Sequence, residues 1–82
     1  MDLRTALKEI ISSRNRTSKE VAEHCGVLPS AFSDRGRRGT YKLAFLCRAL
    51  DIVGYEVAFL PKGAKRVEGG YYLDADCDVE RV

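Results

Sequence analysis

Two short helices joined by a tight turn are the strongest local signal in this sequence. Thr17 and Glu20 fit a capping box, in which two side chains satisfy free backbone amides at the start of a helix. Gly26 ends this helix, because glycine adopts the positive φ needed just beyond a helix at no steric cost. Pro29 suits the first position of the next helix, since its fixed φ is helical. The chain is therefore constrained to fold as helix, turn and helix from residue 17 onward.

Apolar residues at helical spacing predict two further helices, one on each side of this pair. The first begins after Asp2 as its N-cap, and the last has Thr40 as its N-cap and is closed by Gly54. Within the pair, Phe32 is the inward anchor of the second helix, which we expect to end at Gly36 and to be followed by a basic loop. The expected core faces contain Leu3, Ala6, Leu7, Ile10 and Ile11, then Val21, Ala22 and Cys25, and finally Leu43, Leu46, Cys47 and Leu50.

Beyond Gly54 the period of the apolar residues changes from helical to two. Residues 55–60 read YEVAFL and predict a strand, and residues 71–73 predict a second, shorter one. A lone strand has unpaired backbone groups, so the first needs a partner, either residues 71–73 or the same strand of a second subunit. We favour the second subunit, with dimer contacts through Tyr55, Val57 and Phe59.

The expected fold class is mainly α, with four helices and a C-terminal strand or hairpin. Residues 1–53 form the helical domain, residues 54–73 the strand or hairpin that serves as a dimerisation element, and residues 74–82 an acidic tail. The tail is expected to fray, or alternatively to form a strand with one face made of Ala75, Cys77 and Val79.

Charge is distributed unevenly along the 82 residues. Residues 1–69 hold 13 Lys and Arg against 8 Asp and Glu, a balance of +5, whereas residues 70–82 hold one against four, a balance of −3. A basic body suggests a polyanionic partner, although +5 is modest and a solvated surface explains it equally well. The acidic tail then has a further possible role, as a guard that limits nonspecific contacts with nucleic acid.

Cysteine and histidine use argues against a disulfide framework, a metal site and an enzyme. The three cysteines are odd in number and contain no CxxC pair, so we expect reduced cytoplasmic thiols, with Cys25 and Cys47 packed in the core. His24 is the only histidine, which leaves no catalytic pairing to support an enzyme. The alternating acidic tail resembles a calcium loop, but Val79 occupies the position that needs glycine. We expect no metal, no cofactor, and no membrane span, since no apolar run approaches about 20 residues.

The stretch TSKEVAEHCGVLPSAFS, the basic turn RGRRG and the fourth helix followed by GYEVAFLPKG together resemble the lambda-repressor-like, Cro-type helix-turn-helix family, also called the xenobiotic-response-element family. The resemblance covers residues 3–60. It implies a homodimer that binds double-stranded DNA at a palindromic operator and represses transcription, typically for a phage or mobile element. The strand at 55–60 resembles the dimerisation strand of some repressors and antitoxins of this family.

The resemblance also implies a role for individual residues. The recognition helix, about 29–35, enters the major groove and meets base edges through Pro29, Ser30, Ser33 and Asp34. Arg35 stands where the family usually has an apolar residue, so it is expected to reach outward to base or phosphate. The positions that match the family's phosphate contacts are Thr17, Ser18, Arg37, Arg38, Tyr41 and Lys42.

Two features of the sequence keep a second function open. Asp34 places a carboxylate on the reading face, where it repels phosphate, although it can accept a hydrogen bond from cytosine N4. The tail is acidic as well. The alternative is a protein-binding module on the same scaffold, an antitoxin or a phage-encoded inhibitor of a host nuclease, which also represses its own promoter.

Overall fold

The computed structural model describes residues 1–39 and 41–82, and these residues are mainly helical with one small antiparallel hairpin. The predicted N-cap at Thr40 lies outside the described residues. The elements are α1 (Leu3–Ser13), α2 (Ser18–His24), α3 (Pro29–Arg38), α4 (Leu43–Asp51), β1 (Tyr71–Leu73) and β2 (Val79–Arg81).

The helix boundaries around the first turn are those that the sequence predicts. Thr17 Oγ1 accepts from the Glu20 amide and Glu20 Oε1 accepts from the Thr17 amide, each at 3.2 Å, so the capping box is complete. At the other end of α2, Gly26 has φ +71°, and the Val27 amide donates to the Ala22 carbonyl at 3.0 Å. This bond is the long one of a Schellman motif, which ends a helix and turns the chain sharply.

The third helix is longer than the sequence predicts. Gly36 does not end α3 but lies buried inside it, and the helix continues to Arg38 and is capped by Gly39 with φ +66°. A side chain at position 36 is disfavoured by close neighbours, because a Cβ there would lie 2.8 Å from Tyr41 Oη and 3.3 Å from Arg4 Cγ. Gly36 is therefore a packing glycine, and the left-handed turn falls three residues later.

Side chains from all four helices form a single core. The inward face of α4 differs from the predicted one, since Leu43 and Cys47 are exposed. Phe45 turns inward instead, with its ring centroid 5.8 Å from that of Phe32, and Ala49 lies one helical turn further along. The buried cluster consists of Leu7, Ile10, Ile11, Val21, Ala22, Cys25, Phe32, Ala49, Leu50 and Val53.

The hairpin joins parts of the chain that the sequence analysis kept apart. β1 pairs with β2, placing Tyr71 opposite Arg81 and Leu73 opposite Val79, and does not pair with residues 55–60. The prediction of a strand at 55–60 is wrong for this single chain, because no described segment forms a hydrogen-bonded ladder with it. The prediction that the C-terminal tail is frayed is also wrong. Val79 is only 4% exposed and begins β2, whereas Ala75 and Cys77, the other two residues of the alternative strand, are exposed and lie outside it.

Hydrogen bonds anchor the hairpin to the first helix and the residues before it. The Val79 amide donates to the Met1 carbonyl at 2.7 Å. Glu9 of α1 accepts from the Tyr71 hydroxyl at 3.2 Å and from Arg81 Nη1 at 3.3 Å. Among the residues that the structure describes, no helix is long and apolar enough to cross a membrane.

Candidate nucleic-acid interface

The outward face of α3 carries a row of polar side chains. Ser30, Ser33, Asp34 and Arg37 stand at positions i, i+3, i+4 and i+7, which share one face of a helix. Phe32 is only 6% exposed, so it fixes which side of α3 points into the core. We call these four residues the α3 stripe. It unites three predicted base-edge residues with Arg37, which the sequence analysis placed in a loop.

Asp34 does not present a free carboxylate on this stripe. Its Oδ1 lies 2.8 Å from Arg37 Nη2, and its Oδ2 lies 2.7 Å from Arg38 Nη2. Both arginines belong to the last turn of α3, which corrects the prediction of a basic loop. The two ion pairs compensate the charge that made Asp34 an obstacle to phosphate.

A small cleft lies on one side of the stripe, between α1 and α3. It has a volume of about 70 Å³ and takes Arg4 and Lys8 from α1 and Ser18 from the first turn of α2. Ser33 and Tyr41 complete its polar lining. The sequence predicts no functional role for Arg4 or Lys8. Their only sequence signal is that they lie four residues apart on the polar face of α1.

A wider groove lies on the other side of the stripe, between α3 and the start of α4. Its volume is about 480 Å³, and Arg35, Arg38, Tyr41, Lys42 and Phe45 line it. Three of these five side chains are cationic. Tyr41 lines both this α3–α4 groove and the α1–α3 cleft, and burial raises the pKa of its hydroxyl.

Arg35 occupies this groove and is not part of the stripe. Its Cζ lies 4.4 Å from the centroid of the Phe45 ring, within the range of a cation–π contact. Its Nη1 is buried and has no hydrogen-bond partner among the described residues. Pro29, by contrast, is exposed in the first turn of α3, at the N-terminal end of the outward face.

The start of α2 contributes one hydroxyl to the α1–α3 cleft. Ser18 lines the cleft, whereas the Thr17 hydroxyl is already engaged in the capping box. Glu20, beside it, has its pKa lowered mainly by a hydrogen bond from Arg16, at 3.1 Å. The two predicted phosphate contacts at this helix start therefore differ in availability, since only Ser18 retains a free side chain.

The predicted dimerisation residues differ widely in how exposed their side chains are. Tyr55 packs edge-on against Tyr71, with ring centroids 6.2 Å apart. The Cζ atom of Arg14 lies over the Tyr55 ring, 5.2 Å from its centroid. Val57 is 37% exposed and Phe59 is 87% exposed. Within the described chain, no backbone hydrogen bond joins residues 56–60 to another segment.

The thiols divide between the core and the surface. Cys25 is buried, and burial raises the pKa of its thiol, whereas Cys47 and Cys77 are exposed. The predicted core position of Cys47 is therefore wrong. In residues 1–39 and 41–82 no group of three or more His, Cys, Asp or Glu side chains could hold a metal ion.

No protein-family model matches this chain, and no curated protein or solved structure is significantly similar to it.

Proposed function

We propose that this chain is a sequence-specific DNA-binding protein of the lambda-repressor-like helix-turn-helix class, which represses transcription. The observation that carries the proposal is the arrangement around α3: a polar stripe, with a cleft on each side that is lined by cationic side chains. Lys8 stands in one cleft and Lys42 in the other. Phosphates on the two sides of a major groove need cations placed in this way, while the helix between them reads base edges.

The dimensions and the charge of the surface support the same function. A helix with its side chains is about 10–12 Å in diameter, and the major groove is about 12 Å wide. Asp34, the main objection to phosphate binding, is paired with two arginines. Ser30 and Ser33 are short and can donate or accept, so they contribute modest discrimination among bases.

A selection from random duplex DNA at two salt concentrations tests this function. We expect the purified protein to retain duplexes with a palindromic consensus, with half-sites about 34 Å apart. Lys8→Ala and Lys42→Ala should each weaken binding on every retained sequence and reduce the slope of affinity against salt by about one. Lys65→Ala, an exposed lysine outside both clefts, is the matched control and should leave the slope unchanged. Weak, sequence-blind retention that salt erases would contradict the proposal.

We also propose that the protein acts as a homodimer through residues 55–60. Phe59 is 87% exposed, which is unusual for phenylalanine, and residues 56–60 form no backbone hydrogen bond with another described segment, so they can form a ladder with the same residues of another copy. A two-fold interface brings the same surface of each copy together, so one exposed segment serves both sides. We expect sedimentation equilibrium to show a dimer that Phe59→Asp dissociates. Val67→Asp, at an apolar residue that is 67% exposed outside the segment, should leave the dimer intact.

The same exposed phenylalanine favours a second candidate function, a protein-binding module that neutralises a toxin or a host nuclease. The two candidates differ in measurable ways. A module of this kind would remain monomeric when pure, would retain no consensus from random duplexes, and would form a stoichiometric complex with a nuclease that Phe59→Asp disrupts. A dimer that selects a palindrome would favour the DNA-binding function.

A further inference from the structure

Arg37 is placed differently from the other basic residues near α3. Arg38 lines the α3–α4 groove and Arg4 lines the α1–α3 cleft, whereas Arg37 lines neither of these two surfaces. It belongs to the α3 stripe, seven residues after Ser30 and four after Ser33. A guanidinium in the middle of the reading face is badly placed for phosphates, which lie at the sides of the groove, and well placed for base edges.

The direction of the Arg37 side chain supports this placement. Side chains on a helix lean toward its N-terminus, so a residue covers the surface over the preceding turn. The 2.8 Å contact from Arg37 Nη2 to Asp34 Oδ1 shows this lean directly. Although Arg37 lies near the C-terminal end of α3, its guanidinium is therefore held over the middle turn of the stripe.

Asp34 leaves most of the Arg37 guanidinium free. A single hydrogen bond from Nη2 uses one of five N–H donors, and the second carboxylate oxygen is occupied by Arg38 at 2.7 Å. The Arg37 side chain is 64% exposed, so its remaining donors face solvent. The carboxylate thus orients one guanidinium without neutralising its capacity to donate two further parallel hydrogen bonds.

We propose that Arg37, oriented by Asp34, reads a guanine in the major groove of each half-site. Guanine presents two adjacent acceptors there, O6 and N7, which match the fork of a guanidinium, whereas adenine, thymine and cytosine each present an amino donor or a single acceptor with a methyl group. Arg37 is then a base-reading residue and Asp34 its positioning residue. This inference rests on the proposed DNA-binding function and replaces the phosphate role predicted for Arg37.

The test uses the operator recovered from the random-duplex selection, with guanines replaced symmetrically in both half-sites. Replacement of the recognised guanine by 7-deazaguanine removes N7 and should weaken wild-type binding about tenfold, because one of two parallel hydrogen bonds is lost. The same replacement should not weaken the Arg37→Ala variant further. Inosine keeps O6 and N7 and loses only the minor-groove amino group, so inosine at this position should leave wild-type binding nearly unchanged.

Substitutions at positions 34, 37 and 38 distinguish recognition of a base from sequence-independent attraction to DNA. Arg38→Ala removes the other partner of Asp34 and should lower affinity on all duplexes while keeping the selected consensus and the 7-deazaguanine effect. Arg37→Lys keeps the charge but not the planar fork, and should weaken the guanine preference while retaining sequence-blind binding. Asp34→Asn should blur the guanine position of the consensus and raise binding to unrelated duplexes.

Each result decides between stated alternatives. An Arg37→Ala consensus identical to that of the wild type, with affinity lowered equally on every duplex, would assign Arg37 to phosphate and overturn the inference alone. Failure of the wild-type protein to select any consensus would overturn the proposed function and this inference together. Arg37 is exposed, so its variants should keep the wild-type circular dichroism spectrum and thermal midpoint, and a shared loss of both would be recognised as unfolding.

Discussion

The guanidinium of Arg35 lies over the ring of Phe45, with 4.4 Å between Cζ and the ring centroid. Position 35 faces the core edge of α3, where an apolar side chain would be expected. The contact gives the cation a favourable surface, but Nη1 is buried without a hydrogen-bond partner among the described residues. Burial of an unsatisfied donor costs about 1–3 kcal/mol, which exceeds a partly exposed cation–π contact of about 0.5–1 kcal/mol.

We therefore expect Arg35→Leu to raise the free energy of unfolding by about 1 kcal/mol, because leucine keeps contact with Phe45 and buries no donor. Urea denaturation followed by circular dichroism measures the change. Arg35→Ala is the matched control and should lower stability, since it removes the side-chain stem that covers the ring. A lower stability for Arg35→Leu would show that the guanidinium contributes net stability where it lies.

Gly36 and Tyr41 are predicted to be energetically coupled. Alanine in a helix interior is favoured over glycine by about 1 kcal/mol, but a Cβ at position 36 would lie 2.8 Å from Tyr41 Oη. Tyr41→Phe removes that oxygen. In the Tyr41→Phe background, Gly36→Ala should therefore raise the free energy of unfolding by about 1 kcal/mol, whereas in the wild type the close contact with the Tyr41 hydroxyl should cancel this gain.

A double-mutant cycle of these two substitutions, measured by urea denaturation, gives the coupling. Equal effects of Gly36→Ala in both backgrounds would mean that the Tyr41 hydroxyl moves aside at no cost. The remaining neighbour, Arg4 Cγ at 3.3 Å, belongs to a flexible side chain and is the same in both backgrounds.

The parts of the fold that depend on neighbouring residues could be predicted from the sequence. The capping box at Thr17 and the turn at Gly26 are both formed by residues within one helical turn, so the pattern contains all the information needed. The end of α3 was predicted wrongly because Gly36 and Gly39 are equally good local stops. Tyr41 and Arg4, which pass close to Gly36, decide between them from elsewhere in the chain.

The same limit applies to the inward face of α4 and to the candidate interface. Leu43 and Cys47 satisfy helical spacing as well as Phe45 and Ala49 do, and contact with Phe32 selects the second pair. The sequence does not show how close α1 lies to α3, so it could not place Lys8 at the interface. The sequence pattern places Arg37 in a loop because it ends α3 at Gly36, two residues before the helix ends in the structure.

Stability is predicted to fall at alkaline pH. Burial raises the pKa of the Cys25 thiol above its ordinary 9.0 and those of Tyr41 and Tyr71 above their ordinary 10.0. The unfolded chain then loses these protons before the folded chain does. The stability they contribute is fully present below pH 9.0 and is lost as the pH rises through the folded pKa values. The urea midpoint should decrease between about pH 9 and about pH 11.

Tyr71→Phe isolates the contribution of the hairpin to this dependence. Besides burial, the hydrogen bond to Glu9 at 3.2 Å raises the pKa of Tyr71, and phenylalanine removes both the bond and the titrating group. The variant should be less stable than the wild type at neutral pH by about 1 kcal/mol, and the two should converge as the pH rises. A difference that stays constant over this pH range would contradict the linkage.

Val79 is predicted to anchor the C-terminal hairpin. Its side chain is 4% exposed, and its amide donates to the Met1 carbonyl at 2.7 Å, so β2 is held both by burial of this side chain and by a backbone bond to the chain that precedes α1. Val79→Ala removes two buried carbon atoms and should lower the free energy of unfolding by about 1.5 kcal/mol. Val82→Ala, at a residue that is 41% exposed in the same segment, should cost much less.

Amide hydrogen exchange should show faster exchange at β1 and β2 in Val79→Ala than in Val82→Ala, with α2 and α3 little affected. Equal exchange in the two variants would mean that the hairpin is held by its hydrogen bonds to Met1 and Glu9 alone.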